Sequence, residues 1–290
     1  MDLTQTAFDY LRTMVRDRSA IVLDPGKEYL VESRLSPVVR AEGLDSFDAL
    51  VRALNGGDAQ RLRGLVVDAM TTNETSFFRD AHPWGTLQTD LLPALIESRR
   101  SVKSLTFWCG ATSSGQEPFS LAMLIHEHFP EVAATWNVKI SGIDLSPTMV
   151  HKSNAGRFSQ LEVNRGLPAH LMMKYFTRDG KDWKISNDVL KMVEFREGNL
   201  IDPAMWAKVP VVDGIFIRNV LIYFDQQARQ GILGRARDRL RRDGFLMLGS
   251  SETTVGFDTA YERLQFGKTV VFRPSAATHV PTGSRTSAAA

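Results

Sequence analysis

The chain has 290 residues, 43% hydrophobic and 23% charged, an ordinary globular composition for about two domains that excludes a disordered, collagenous or coiled-coil chain. Its 35 Lys and Arg nearly balance 33 Asp and Glu, so the net charge of +2 gives no sign of an obligate nucleic-acid binder. The single cysteine, Cys109, can form neither an internal disulfide nor a multi-thiolate zinc site, and with no apolar leader after Met1 it predicts a reducing cytosol.

Residues 1–80 predict helices, because Phe8, Leu11 and Val15, then Leu30 and Leu35, then Leu62, Leu65 and Val66 recur near the 3.6-residue period. The run Thr71-Thr72-Asn73-Glu74-Thr75-Ser76-Phe77-Phe78-Arg79-Asp80 follows at the change of texture. It reads either as a capping box, Thr71-x-x-Glu74, starting a helix, or as one wall of an inter-domain cleft. From Leu105 short apolar runs alternate with helical stretches: Leu105–Trp108, Val138–Ile143, Val193–Arg196, Val211–Ile217, Phe245–Gly249 and Thr269–Phe272. That alternation implies parallel strands joined by crossover helices, an α/β sheet. Residues 158–191 break the rhythm, and Asp179-Gly180 between two alternating segments predicts a hairpin in a small antiparallel insertion. The longest apolar run, Gly214–Phe224, is interrupted by Arg218 and Asn219 and falls short of the roughly 20 residues a bilayer needs. Residues 274–290 are rich in Ser, Thr and Ala with little apolar bulk, which predicts a disordered tail. The expected organisation is a helical domain over 1–80, an α/β domain over 81–273 and the tail.

Three polar features stand out in the sheet region. Cys109-Gly110-Ala111-Thr112-Ser113-Ser114-Gly115 links the first strand to a helix expected from Phe119 to Phe129, and its small residues suit close approach of a ligand. Gln116-Glu117 stand where a phosphate-binding P-loop needs Lys then Ser or Thr, and G-x-G-x-x-G is absent. An acidic loop favours a ligand with positive charge, such as the sulfonium and ammonium of S-adenosylmethionine; alternatively Glu117 complements a helix N-terminus. Asp144 ends the second strand, where open α/β sheets place an acid on ribose hydroxyls; alternatively it starts a Ser146-Pro147 turn. Arg218 interrupts an apolar run and belongs at the strand's end, facing a ligand or paired with a core carboxylate. Asp225 reads as the N-cap of a helix over Gln226–Arg242.

In this order the segments Met70–Arg79, Ser113-Ser114-Gly115-Gln116-Glu117-Pro118, Gly198-Asn199-Leu200 and Arg218-Asn219-Val220-Leu221-Ile222-Tyr223-Phe224-Asp225 resemble the CheR family of chemotaxis receptor glutamate O-methyltransferases, from about Phe8 to Arg273. The resemblance implies a helical N-terminal domain and a Rossmann-like methyltransferase domain that esterifies glutamates on chemoreceptor cytoplasmic helical bundles. It implies S-adenosylmethionine contacts at Asn73, Thr75, Arg79, Glu117, Asp144, Asn199, Leu200, Ile217 and Arg218, and Tyr223 beside the transferred methyl. It also implies Arg34 and Arg40 as receptor-docking cations on the second helix. Against that, residues 1–80 carry ten Lys and Arg and 13 Asp and Glu, and Pro37 between the arginines predicts a kink or an end to that helix. Gln116 departs from family members with a second acid there, and the connection after the hairpin is shorter than in members that add a receptor peptide as an extra strand, which favours direct receptor docking.

A glutamate carboxylate, with a pKa of about 4.3, needs no general base at neutral pH. His82, His126, His128, His151, His170 and His279 therefore carry no assigned chemistry. Arg79 is expected to orient substrate and cofactor, Tyr223 to line the methyl path and Arg218 to shape the pocket. The expected protein is a cytoplasmic monomer that meets the membrane only through its receptor and binds neither nucleic acid nor a metal. The alternatives are a methyltransferase for a nucleic acid or small molecule, and a non-catalytic receptor-binding scaffold.

Overall fold

The computed structural model describes residues 2–57 and 59–275; most of the expected tail, residues 276–290, lies outside the described residues. Four helices open the chain: α1 (Gln5–Ser19), α2 (Glu28–Ala41), α3 (Phe47–Leu54) and α4 (Ala59–Met70). The side chains of Thr4 and Ser46 cap α1 and α3 by accepting from the backbone N–H groups of Ala7 and Ala49. Phe8, Leu11, Val15, Leu35, Val39, Phe47, Leu50, Leu62, Val66 and Met70 form one buried core among them. Leu65, expected on that apolar face, is 36% exposed, because it lies about 100° round the helix from Val66. Pro37 does not end α2, which continues to Ala41. Pro37 and Ser33, whose carbonyl loses its helical partner to the proline, both lie on the exposed side where water can reach them.

Among the described residues ten strands follow: β1 (Ser104–Gly110), β2 (Asn137–Asp144), β3 (Arg157–Phe158), β4 (Phe176–Asp179), β5 (Asp182–Ile185), β6 (Val193–Glu197), β7 (Val212–Ile217), β8 (Leu240–Leu248), β9 (Tyr261–Phe266) and β10 (Thr269–Pro274). Seven form the main sheet in the order β6-β2-β1-β7-β8-β10-β9. The pairs among β6, β2, β1, β7 and β8 are parallel, and β10 runs antiparallel to both its neighbours. The chain leaves β1 toward β2 and β6, then returns to β7 on the other side. The strand order therefore reverses beside β1, and ligands of open α/β sheets bind outside the carboxyl ends of the strands at such a point. Pro274, expected in the tail, pairs with Tyr261. The strand β9 carries little sequence signal, because its partly exposed edge pattern with Glu262 and Arg263 hides the apolar residues. The helix after Asp225 stops at Arg239 rather than Arg242, and β8 starts at Leu240.

The insertion is a separate antiparallel sheet, β3-β5-β4. Asp179 pairs with Asp182, so the hairpin loop is Gly180-Lys181, one residue later than expected. Residues 71–80 form no helix, which rejects the capping-box reading. Instead Phe77 is fully buried, edge-on to Phe158 at 5.0 Å and Phe176 at 5.6 Å, so the linker is pinned to the insertion. Gly166 (φ +84°) packs so closely that a Cβ there would overlap the carbonyl oxygen of Phe77. Gly166→Ala is therefore expected to destabilise the protein by about 1–3 kcal/mol, from left-handed strain and overlap together. A urea denaturation midpoint equal to wild type would contradict this packing.

Candidate functional site

The loop after β1 is shaped by three left-handed residues, Ala111 (φ 55°), Ser113 (φ 49°) and Gly115 (φ 90°), and leads into the helix Gln116–His128. It is tied across to β2: the Thr112 N–H donates to the Ile143 carbonyl (3.0 Å) and the Ser113 N–H to Asp144 Oδ2 (2.6 Å). The other Asp144 oxygen accepts from the Ser146 N–H at 2.9 Å. Asp144 thus makes the turn before the helix Pro147–Ala155, as one reading of the sequence expects, and it also lines the cleft. Burial pushes the Asp144 carboxyl above its ordinary range, opposed by the N–H groups of Ser146 and Ser113.

Arg218 follows β7 with its side chain only 2% exposed, and its guanidinium pairs with Glu117 and, at 2.8 Å, with Asp80. One further N–H reaches the Arg79 carbonyl at 3.3 Å, while Nε is buried without a partner. Asp80 reaches Arg218 from a tight turn: the His82 N–H donates to the Asp80 carbonyl at 2.5 Å across Ala81, whose φ of 44° and ψ of −57° are those of a strained γ-turn. The helical lobe closes the cleft from the other side. The Val22 N–H donates to the Tyr223 carbonyl at 2.9 Å, and the Asn199 amide donates to the Arg18 carbonyl at 2.7 Å.

The cleft between the lobes spans about 680 Å³, the open solvent at its mouth included. Of the expected residues, Asn73, Asp144, Asn199, Leu200, Arg218 and Tyr223 line it, and Thr75, Arg79, Glu117 and Ile217 do not. Ile217 is core, fully buried. Glu117 sits behind the lining as the partner of Arg218, and the Arg79 guanidinium lies along the linker, donating to the Glu74 carbonyl at 3.1 Å. The expected docking pair also divides. Arg34 donates to the carbonyls of Met70 (2.7 Å) and Thr71 (3.0 Å) and to the Thr72 hydroxyl (3.1 Å), so it is no free surface cation. Arg40 is exposed, but six residues on it points about 120° away from Arg34 round the helix. Asp80, Ser113, Asn219 and Glu252 also shape the site, although sequence reasoning gives them no role of their own. Asp80 stands inside the polar linker run, whereas Glu252 carries no sequence signal.

Residues 73–270 match the family described as CheR methyltransferase, SAM binding domain, and residues 6–71 match CheR methyltransferase, all-alpha domain. The chain belongs to the CheR methyltransferase family. It is 36% identical over 281 residues to chemotaxis protein methyltransferase 1 of Pseudomonas aeruginosa, covering 94% of this chain and 99% of that one. It is 37% identical over 262 residues to a chemotaxis protein methyltransferase of Vibrio anguillarum, covering 89% and 93%. The methyl donor is accordingly S-adenosylmethionine, and the residues of this CheR chain fit it. Asp144 keeps lone pairs for ribose hydroxyls after meeting two backbone N–H groups. A Cβ at Gly110 would press within 2.9 Å of Leu200, so glycine there spares that wall of the cleft. Among the described residues no helix is long and apolar enough to cross a membrane.

Because the ionised carboxylate is the stronger acceptor, S-adenosylhomocysteine should bind more weakly as pH falls toward the raised Asp144 pKa, beginning above the 3.8 of an ordinary aspartate. Asp144→Ala should lose about 1.5–3 kcal/mol of that affinity at neutral pH and lack the acid limb. Calorimetry across the pH range checks both; equal affinities, or the same acid limb in the variant, would remove the assignment.

Proposed function

We propose that the chain transfers the methyl group of S-adenosylmethionine to glutamate side chains on the cytoplasmic helical bundle of a chemoreceptor, giving methyl esters, and works in the cytoplasm. The observation that carries this reading is the pairing of Arg218. Two carboxylates, Glu117 and Asp80, more than offset its single positive charge. An incoming carboxylate thus meets no strong ion-pair partner there, and strong pairing would stabilise the charged ground state more than a transition state in which charge is being lost. Bound S-adenosylmethionine supplies an electrophilic methyl carbon on a sulfonium. The protein's own part is to hold the two reactants in line, a contribution worth up to about 7–11 kcal/mol.

Within that scheme Asp144 anchors the ribose end and Asn73 and Leu200 wall the cleft. Arg218 fixes the strand end from which Tyr223 is presented. Arg79 can orient the glutamate only after its side chain leaves the Glu74 carbonyl. For receptor docking, the Arg34 guanidinium is hydrogen-bonded to the end of α4 but keeps its charge, and Arg40 is the more exposed cation of the pair.

The test is transfer of labelled methyl groups from S-adenosylmethionine to receptor-containing membranes. Label that leaves as volatile methanol in mild base is expected, with Tyr223→Phe lowering kcat by about tenfold or more while KM for the donor stays near wild type. Absence of transfer, or label stable to base, would contradict the reading.

A further inference from the structure

The turn beyond the main sheet's β8 holds a carboxylate that the proposed chemistry leaves unused. Glu252 lies in the turn after β8, where its own N–H donates to the Gly249 carbonyl at 3.0 Å. Its side chain points back across the strand ends to the segment following Arg218. One carboxylate oxygen accepts from the N–H groups of Val220 (2.9 Å) and Leu221 (2.7 Å), the other from those of Asn219 (2.7 Å) and Gly249 (2.7 Å). Asn219 is left-handed (φ 58°), and a single 3-10 turn, Leu221–Tyr223, follows it. That turn is too short to satisfy its own leading amides, so an external acceptor is required. Gly249 makes room for it: a Cβ there would sit 2.7 Å from the carboxylate oxygen and 2.8 Å from the Asn219 nitrogen.

We infer that Glu252 is a positioning residue for methyl transfer: by holding four backbone amides it sets the turn that presents Tyr223 to the cleft. The inference rests on the proposed role of Tyr223. Glu252 does not itself line the cofactor cleft, so its effect should reach the reaction through the 219–223 turn, whose Asn219, Val220 and Tyr223 do line it. The turn also receives the helical lobe, since the Tyr223 carbonyl accepts the Val22 N–H. An error in its placement therefore shifts a catalytic wall and an inter-lobe contact together.

Glu252→Gln keeps the size of the side chain but turns one acceptor oxygen into an amide donor facing backbone N–H groups. It should lower kcat by about tenfold or more, a larger factor than it costs in S-adenosylhomocysteine affinity. In a Tyr223→Phe background the same substitution should cost less than about threefold, because coupled residues are not additive. Amide hydrogen exchange at 219–221 and 249 should rise by about tenfold or more, with β7 and β8 unaffected. Unchanged kcat, full additivity with Tyr223→Phe, or unaltered exchange at those amides would each overturn the inference. If Glu252→Gln fails to fold, Glu252→Asp, which keeps the charge and shortens the reach, gives the same readings with smaller effects. If the wild-type chain transfers no methyl groups to receptors, the substrate assignment fails, and the exchange measurement alone decides whether Glu252 sets the turn.

Discussion

A single guanidinium organises this site. Arg218 sits at the end of β7 with its side chain almost wholly out of water, and an unpaired cation there would cost several kcal/mol. Its partners come from two other parts of the chain: Glu117 from the helix behind the glycine loop, and Asp80 from the linker that leads out of the helical lobe. Meeting the demand of one charge therefore brings three segments to the switch point of the sheet. The linker takes up strain to do so, with Phe78, Asp80 and Ala81 all at positive φ. Such conformations persist only where the surrounding structure holds them, and here the buried Phe77 and the Asp80–Arg218 pair flank them.

Closure of the cleft depends on equally local contacts between lobes. The end of α1 hands its carbonyl at Arg18 to Asn199, and Ile21 pairs with Phe224 in a one-residue bridge beside the Val22–Tyr223 hydrogen bond. Arg34 braces the end of α4, where the linker begins. Several side chains that resemble ligand or receptor contacts thus serve the architecture that makes the cleft. Asn199 both lines it and fastens the lobes, while Glu117 acts on it only through Arg218.

Strong periodicity makes most of the fold readable from sequence. The apolar runs of the five parallel strands lie where expected, and Asp225 caps its helix by accepting from the Ala228 N–H. Elements whose signal is weak or tertiary escape. The edge strand β9 alternates too poorly to stand out, and the hairpin turn lies one residue later than its Asp-Gly pair suggests. Pro37 is tolerated in α2 because its side of the helix faces solvent. Within the site, Asp144 and Arg218 are legible because a charge that closes an apolar strand must meet either a ligand or a buried polar partner. The partnership of Arg218 with Asp80, 138 residues earlier, and the grip of Glu252 on four backbone amides are not, since no local pattern records which groups the fold will bring together.

The most direct test of this account is a crystal structure with S-adenosylhomocysteine. It should show the ligand in the cleft with its ribose on Asp144 and its sulfur end toward Tyr223, while Arg218 remains paired with Glu117 and Asp80. A ligand bound elsewhere, or Arg218 released from both carboxylates to grip the ligand directly, would contradict it.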